Sequence, residues 1–383
     1  MQRPKITFKL CGAVGLATGI LLMLALARRL GLEQWLLVSM AAVAFMSLLA
    51  TGMAAKILTG TETLIYYRYA MVSFAVTAMA PLVFHVRVLP YMDVTFLGAG
   101  VFLACGRIGC LMVGCCHGRI CLWGVRYSQE HAKEGFPSYL VGVRLFPIQA
   151  LESIFVLCLV ACGAALVLKG FPAGSALAFY VITYAFGRFW IEFARGDSER
   201  PYFGGFSEAQ WTSLFMVVGV VCAECGKIIP ANTWHVWIPL CLGTSMIVIS
   251  LGRRLQKTSR FDLLHPRHVR ELAGAIKVAA GAGRYPMTRN SFLGLKPEKA
   301  IAHLAYTSLG IRISTGDIIR PNSCVRHYTL SKETDSLTAS SARLLAELIA
   351  RLNHASCRFE LLERNSGVFH LLFETDSTYR KGP

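Results

Sequence analysis

Two stretches of this sequence have residue types and spacings that could do chemistry. The first runs Gly106-Arg107-Ile108-Gly109-Cys110 and continues through Gly114-Cys115-Cys116-His117-Gly118-Arg119, closing an apolar run that begins near Thr95. An arginine in a membrane-length segment costs about 2.5–3.5 kcal/mol at a helix centre and less near the interface, so a chain that keeps Arg107 there has a use for it. The flanking Gly106 and Gly109 let backbone approach a partner or a headgroup closely. The second stretch is Tyr184, Arg188, Glu192 and Arg195, spaced four, four and three apart and so on one helix face. A charged stripe of this kind faces a bundle interior or a wet cavity, not lipid. Glu192 can pair with Arg188 or Arg195 and orient it. One reading is a buried ion-pair network that fixes helix packing. The other starts from the surplus positive charge, which suits an anionic ligand. Between the two stretches lie Pro147, Gln149 and Glu152. Gln149 and Glu152 share a helix face, and Glu152 is either a first-turn carboxylate favoured by the helix dipole or a group that faces the same polar cavity as Arg107.

Cys110, Cys115, Cys116 and His117 invite a metal. Zinc ligands usually come as spaced pairs from two places in the chain, and here two cysteines are adjacent with no second cluster, so no metal is expected. A disulfide within this group, or a thiol made reactive by Arg107, His117 and Arg119, is left open.

These groups need a scaffold, and composition says what kind. Of 383 residues, 54% are hydrophobic and 16% charged, with a mean hydropathy of +0.50. This fits a polytopic membrane protein better than a soluble globular one. Apolar runs of membrane-spanning length fall near 8–27, 34–55, 64–86, 94–115, 148–168, 173–194, 208–229 and 234–252, with Pro239 interrupting the last. The expected fold is an all-α polytopic membrane bundle of about seven to eight transmembrane helices over residues 1–252. Arg3, Lys5 and Lys9 before the first run read as the flank of a retained first span. Most of the 13 cysteines sit inside apolar runs, where Cys acts as a small hydrophobe.

After Gly252 the composition changes. Arg253, Arg254, Lys257 and Arg260 form a basic linker into a small soluble α+β domain that ends at residue 383, its role unknown. Leu337 to Ala355 has helical spacing with Ser336 as its N-cap, and Phe359 to Leu362 and Val368 to Phe373 read as strands joined at Asn365-Ser366-Gly367. The net charge of +17 suits anionic lipid headgroups beside a membrane rather than nucleic acid.

The ordered motifs resemble the prolipoprotein diacylglyceryl transferase family. Its G-R-x-G-N-F-x-N-G-E-x-x-G-R signature aligns with Gly106 to Arg119, both arginines and four glycines in register. Its P-x-Q-x-x-E is met by Pro147, Gln149 and Glu152, and its Y-G-x-x-R-x-x-x-E-x-x-R by Tyr184, Arg188, Glu192 and Arg195. Gln210 matches a glutamine that opens the next span. The chain departs from the pattern at Cys110 and Val113, where the family has asparagines, at Cys115-Cys116-His117, where an acidic residue is lost, at Ala185 and at Phe146. His85 lacks the glycines of the family's histidine turn. This is a divergent version of the signature.

The resemblance implies transfer of a diacylglyceryl group from phosphatidylglycerol to the cysteine thiol of a lipoprotein signal peptide. Glycerol phosphate leaves and a thioether forms, with no cofactor, in a bacterial cytoplasmic membrane. Arg107, Arg188 and Arg119 are the expected cations for the phosphate. Glu192 would orient Arg188, Tyr184 would donate a hydrogen bond, and His117 would stand in for a base. Gly106, Gly109, Gln149, Glu152 and Arg195 would line the substrate site. Two alternatives remain at this point: a non-catalytic lipid-binding protein, and a membrane thiol enzyme that uses Cys115 or Cys116 on another acceptor.

Overall fold

The computed structural model describes residues 4–59, 66–255, 260–282, 304–319, 324–333, 336–353 and 359–375. These fall into two compact units, one of residues 1–118, 147–195 and 200–252, the other of 119–146, 196–199 and 253–383.

The first unit is helical: α1 (Pro4–Leu30), α2 (Gln34–Thr59), α3 (Tyr66–Val83) and α4 (Val88–Val113) precede the 119–146 stretch. That stretch holds β1 (Ile120–Val125), the short α5 (Gln129–Lys133) and a 3-10 turn, and belongs to the second unit. The bundle resumes with α6 (Ile148–Leu168), α7 (Ser175–Ile191), the two-residue strands β2 (Tyr202–Phe203) and β3 (Phe206–Ser207), α8 (Glu208–Cys225) and α9 (Trp237–Leu255). Apolar helices thus stand at all eight expected places. Among the described residues five are long and apolar enough to cross a membrane: Ile6–Leu30, Gln34–Leu58, Val88–Val113, Ile148–Leu168 and Trp237–Leu255. The last was expected to be broken by Pro239. Instead Pro239 falls in the first turn of α9, where a proline has no intrahelical hydrogen bond to lose.

Small residues let α1 and α4 approach closely. A Cβ built on Gly19 would lie 2.6 Å from the carbonyl oxygen of Gly98, and one on Gly109 would lie 2.9 Å from the Phe8 ring. Residue numbers rise along α1 as they fall along α4, so the pair is antiparallel and its backbones touch where only glycine fits.

The second unit continues after Gly252 with α10 (Arg260–Leu263) and α11 (Pro266–Ala282), then β4 (Ala305–Tyr306), β5 (Ile311–Ile319), β6 (Cys324–Lys332), α12 (Ala339–Leu352), β7 (Phe359–Asn365) and β8 (Val368–Thr375). The strands form one antiparallel sheet in the order β4-β5-β6-β8-β7. Alternate residues Ile311 and Ile313, Tyr328 and Leu330, and Phe369, Leu371 and Phe373 are buried, the period of a half-covered sheet. Leu272, Ala275, Ile276 and Ala279 of α11 and Ala342, Leu345, Ala346 and Ile349 of α12 join the same core at helical spacing. The hairpin turns at Ser366-Gly367 as expected, with Gly367 at φ +79°. The expected N-cap Ser336 is corrected to Thr338, whose hydroxyl accepts the Ser341 N–H at 3.3 Å, so α12 starts two residues later. The proposed end of that helix at 354–355 lies outside the described residues.

Candidate active site

The site is built on α4, α6 and α7, which hold one another in register by a ladder of specific contacts. At one end, Asp93 of α4 accepts the backbone N–H groups of Gly174 and Leu177, each at 2.7 Å. A carboxylate on the open N–H groups of a helix start is a favourable cap, and here it is supplied by a different helix. It fixes the beginnings of α4 and α7 side by side. Arg107 follows Asp93 by 14 residues and Arg188 follows Gly174 by 14, so the two guanidiniums emerge at one depth, about 21 Å along at roughly 1.5 Å per residue. Between them α6 runs the opposite way. Leu97 lies against Gly163, Gly100 against Val160, and Ala104 accepts the Ser153 hydroxyl at 2.9 Å. The next rung is Glu152 with Arg107.

Glu152 is the hub. Its Oε2 lies 3.0 Å from Arg107 Nε, and its Oε1 lies 3.7 Å from Arg188 Nε and accepts the Tyr184 hydroxyl at 3.1 Å. Of the two sequence readings of Glu152, the structure gives the one that turns it toward Arg107, and adds that the two pair directly. Glu192, at the end of α7, pairs with Arg188 Nη1 at 2.5 Å and with Arg200. Arg195 is buried and within electrostatic range of both Arg107 and Glu152. Every one of these groups except Arg200 is under 8% exposed. Arg107, Arg188, Arg195 and Arg200 against Glu152 and Glu192 leave a formal surplus of two positive charges in a site largely closed to water. The two carboxylates orient Arg107, Arg188 and Arg200.

The turn after α4 supplies the rest. Gly114 caps α4 in the left-handed conformation, φ +86°, its N–H on the Cys110 carbonyl at 2.9 Å. Gln149 reaches across from the first turn of α6, and its Nε2 donates to the Cys115 carbonyl at 2.9 Å. Gln149 is 1% exposed and its Oε1 has no hydrogen-bond partner among the described residues. His117 is buried, with Nδ1 2.9 Å from the Gly118 carbonyl. A carbonyl only accepts, so Nδ1 carries the proton, and in the neutral ring Nε2 is the basic nitrogen. Gly118 in turn bridges to Arg195. Gln210 sits elsewhere in the role of a capping residue. With Ser207 it closes a capping box on α8, and its Nε2 reaches the Phe189 carbonyl at 3.4 Å.

Of the residues singled out from sequence, Arg107, Glu152, Tyr184, Arg188, Glu192 and Arg195 are brought together, with Gln149 and His117 on the adjoining turn. Gly109 makes the close approach to α1. Around Gly106 there is open space where a side chain would begin. Arg119 belongs to the second unit, its guanidinium 5.2 Å over the Phe261 ring, and is not among the groups joined here. Sequence reasoning missed Arg200. It lies in a loop eight residues from Glu192, beyond the end of α7, where helical spacing no longer says what faces what. It also missed Asp93, which stands just before the apolar run at 94–115 and falls inside α4 because that helix starts earlier, at Val88.

A family model described as prolipoprotein diacylglyceryl transferase matches residues 69–224, the stretch that holds every member of this cluster. A relative from Clostridium perfringens, phosphatidylglycerol–prolipoprotein diacylglyceryl transferase 2, is 33% identical over 141 residues, 35% of this chain and 50% of the relative. Proteins named phosphatidylglycerol–prolipoprotein diacylglyceryl transferase from Dehalococcoides mccartyi and Clostridium tetani are 32% and 31% identical over 126 and 133 residues, covering 33% and 34% of this chain and 46% and 51% of their own lengths. The chain spans about half the length of the curated relatives it matches. Over residues 69–224, which include the arginine cluster, the chain is similar to the prolipoprotein diacylglyceryl transferase family.

Proposed function

We propose that this protein transfers the diacylglyceryl group of phosphatidylglycerol to the cysteine thiol of a lipoprotein precursor's signal peptide, in a bacterial cytoplasmic membrane. The observation that carries the reading is Glu152 holding Arg107 and Arg188, from two different helices, at one depth of an apolar bundle with positive charge to spare. The reaction breaks the bond from the glycerol carbon to the phosphate oxygen. Glycerol phosphate departs with that electron pair, and fixed cations that need no reorganisation stabilise the charge as it develops. Arg107 and Arg188 hold the phosphate, Glu152 and Glu192 fix their forks, and Tyr184 tightens Glu152. The buried acceptor Oε1 of Gln149 suits a headgroup glycerol hydroxyl, whose donated hydrogen bond would satisfy it. His117, whose Nε2 is the basic nitrogen of the neutral ring, takes the thiol proton in this reading. The names of the relatives and the matched family support the same donor and acceptor.

The test uses full-length protein in lipid nanodiscs, labelled phosphatidylglycerol and a cysteine-bearing signal peptide, with mass spectrometry of lipidated peptide and released glycerol phosphate. Arg188→Ala should lower the transfer rate by about 10²–10³-fold, the size of losing one fixed donor to a developing anion. Wild-type transfer by Arg188→Ala, or no lipidated peptide from the wild-type protein, would remove the reading.

A further inference from the structure

Where the family signature has asparagine and an acidic residue, this chain has three cysteines, and the fold gathers them. The sulfur atoms of Cys110, Cys115 and Cys116 all lie within 4.8 Å of one another. From sequence, adjacent Cys115 and Cys116 are poor geometry for one ion, and no second cluster stands elsewhere in the chain. The backbone answers that objection. Gly114 at φ +86° turns the chain out of α4, and Cys116 at φ +55° turns it again, which folds the turn back over the last turn of α4 where Cys110 sits. Left-handed backbone is uncommon for a residue with a Cβ, and it persists where the surroundings hold it. Here the Cys115 carbonyl is tied down by Gln149 Nε2 at 2.9 Å and the Cys115 thiol lies 3.9 Å from the Cys110 carbonyl. Cys115 is exposed while Cys110 and Cys116 are half-buried, so the trio has an open side.

Three sulfurs around one ion with metal–sulfur bonds of about 2.3 Å sit about 4 Å apart, and the observed spread accommodates that. Other cysteines of this bundle, such as Cys158, Cys162 and Cys222, are exposed and are not part of the cluster. We propose that Cys110, Cys115 and Cys116 form a three-thiolate site for a thiophilic divalent metal ion of the zinc type, whose open fourth position takes the acceptor cysteine. The second half of that statement rests on the transfer reaction proposed above; the first half does not. Soft thiolate ligands select ions of this class over magnesium or calcium. Binding releases the three thiol protons to solvent and leaves a complex of net charge −1, beside guanidiniums whose surplus is positive. Three protein ligands with one vacancy is the arrangement of catalytic rather than structural zinc. A fourth thiol that coordinates there gives up its proton to the base, His117 Nε2, and stays a sulfur nucleophile, since a metal-bound thiol is deprotonated. Cys110 is three residues from Arg107 on α4, so the metal-bound sulfur and the phosphate-holding cation share one face of one helix end. The attack then forms the sulfur–carbon bond, and the pair from the broken carbon–oxygen bond leaves on glycerol phosphate.

The experiment titrates Co²⁺ into reduced full-length protein in detergent and follows the thiolate-to-metal charge-transfer band. One equivalent should bind. Cys110→Ser and Cys116→Ser should each lose that band, while Cys158→Ser keeps it. Absence of a stoichiometric band in the wild-type protein, or its persistence in both site variants, overturns the metal site, and so does a Cys115–Cys116 disulfide that resists mild reduction. Adding a cysteine-bearing signal peptide should shift the Co²⁺ spectrum where the serine version of that peptide does not. No shift overturns the acceptor role. Transfer by chelated, metal-free protein at the full rate sinks that role and leaves the transferase reading intact. Metal binding with the expected shift but no lipidated peptide sinks the transferase reading and leaves the site.

Discussion

At the scale of single residues, Glu152 decides the most. It is 1% exposed and is the anion shared by Arg107, Arg188 and the Tyr184 hydroxyl. Burying two cations is expensive, and removing the acid they share takes from Arg107 its carboxylate partner and leaves Arg188 to Glu192. Breaking a buried pair this way typically costs about 3–5 kcal/mol. Glu152→Gln keeps the shape and one carbonyl acceptor while deleting the charge, so the expected result is a protein that melts several degrees lower and has lost transfer. Its neighbour Ser153 donates to the Ala104 carbonyl from the same buried turn, and Ser153→Ala should cost only about 1 kcal/mol and leave transfer near wild type. If thermal unfolding and product formation are alike for Glu152→Gln and Ser153→Ala, the shared-anion account fails. Glu152 was legible as a candidate because Gln149 and Glu152 share a face, but its partner was not. Spacing along one helix reports a common face and says nothing of which other helix that face meets. For the same reason Tyr184, Arg188 and Glu192 were found as a stripe, whereas Arg200 was not.

At the scale of elements, the depth of the site is set by Asp93 and not by the charged residues themselves. α4 and α7 are each more than four turns long, and a slip of one residue at the capped end would displace Arg188 relative to Arg107 by about 1.5 Å. Asp93→Ala removes both hydrogen bonds to the start of α7. The expected loss is about 1–2 kcal/mol of stability, at the upper end for a cap because the acceptor is buried and charged. Transfer should fall by about tenfold or more, since misplacement of positioning groups by 1 Å can cost about 10²-fold. Rescue by Asp93→Glu of stability but not of rate would mark the effect as one of register; unchanged rates in Asp93→Ala would show that the cap does not set the site. Helix positions were readable from apolar runs because a bilayer demands about 20 apolar residues per crossing, a constraint that needs no tertiary knowledge. The strands β7 and β8 were readable from their alternation and the Gly367 turn. β5 and β6 were not, because their sequences mix Thr, Ser, Gly, Arg and His into the outward positions and leave few apolar residues to count.

At the scale of the whole molecule, the bundle and the unit that continues after Gly252 bury different kinds of polar group and so answer pH differently. In the second unit the neighbouring strands β6 and β8 place His327 and His370 opposite one another's flanks, with His327 Nε2 2.8 Å from His370 Nδ1. One nitrogen must donate and the other accept, so the contact exists only while at least one ring is neutral. Burial, then the adjacent His370 and Arg364, hold His327 below the ordinary histidine value of 6.5. Burial also lowers His268 from 6.5, against the opposing pull of the Leu263 carbonyl, Glu271 and Asp262; its Nδ1 is 2.8 Å from that carbonyl and its Nε2 3.2 Å from the Thr307 hydroxyl. Both groups are lowered in the folded state, so the unfolded chain binds more protons in the window just below 6.5. The stability of this unit is therefore full above 6.5 and is lost as pH falls through that window to the folded values. Hydrogen exchange of β6, β8 and α11 peptides in the full-length protein, corrected for intrinsic rates, should show weaker protection at about pH 5.5 than at about pH 7.5. Replacing both rings with His268→Gln and His327→Gln should flatten that difference. Equal protection of the wild-type unit at both pH values would mean these buried imidazoles carry no linkage to its folding, whereas a loss confined to α4, α6 and α7 would place the acid sensitivity in the carboxylates of the arginine cluster instead.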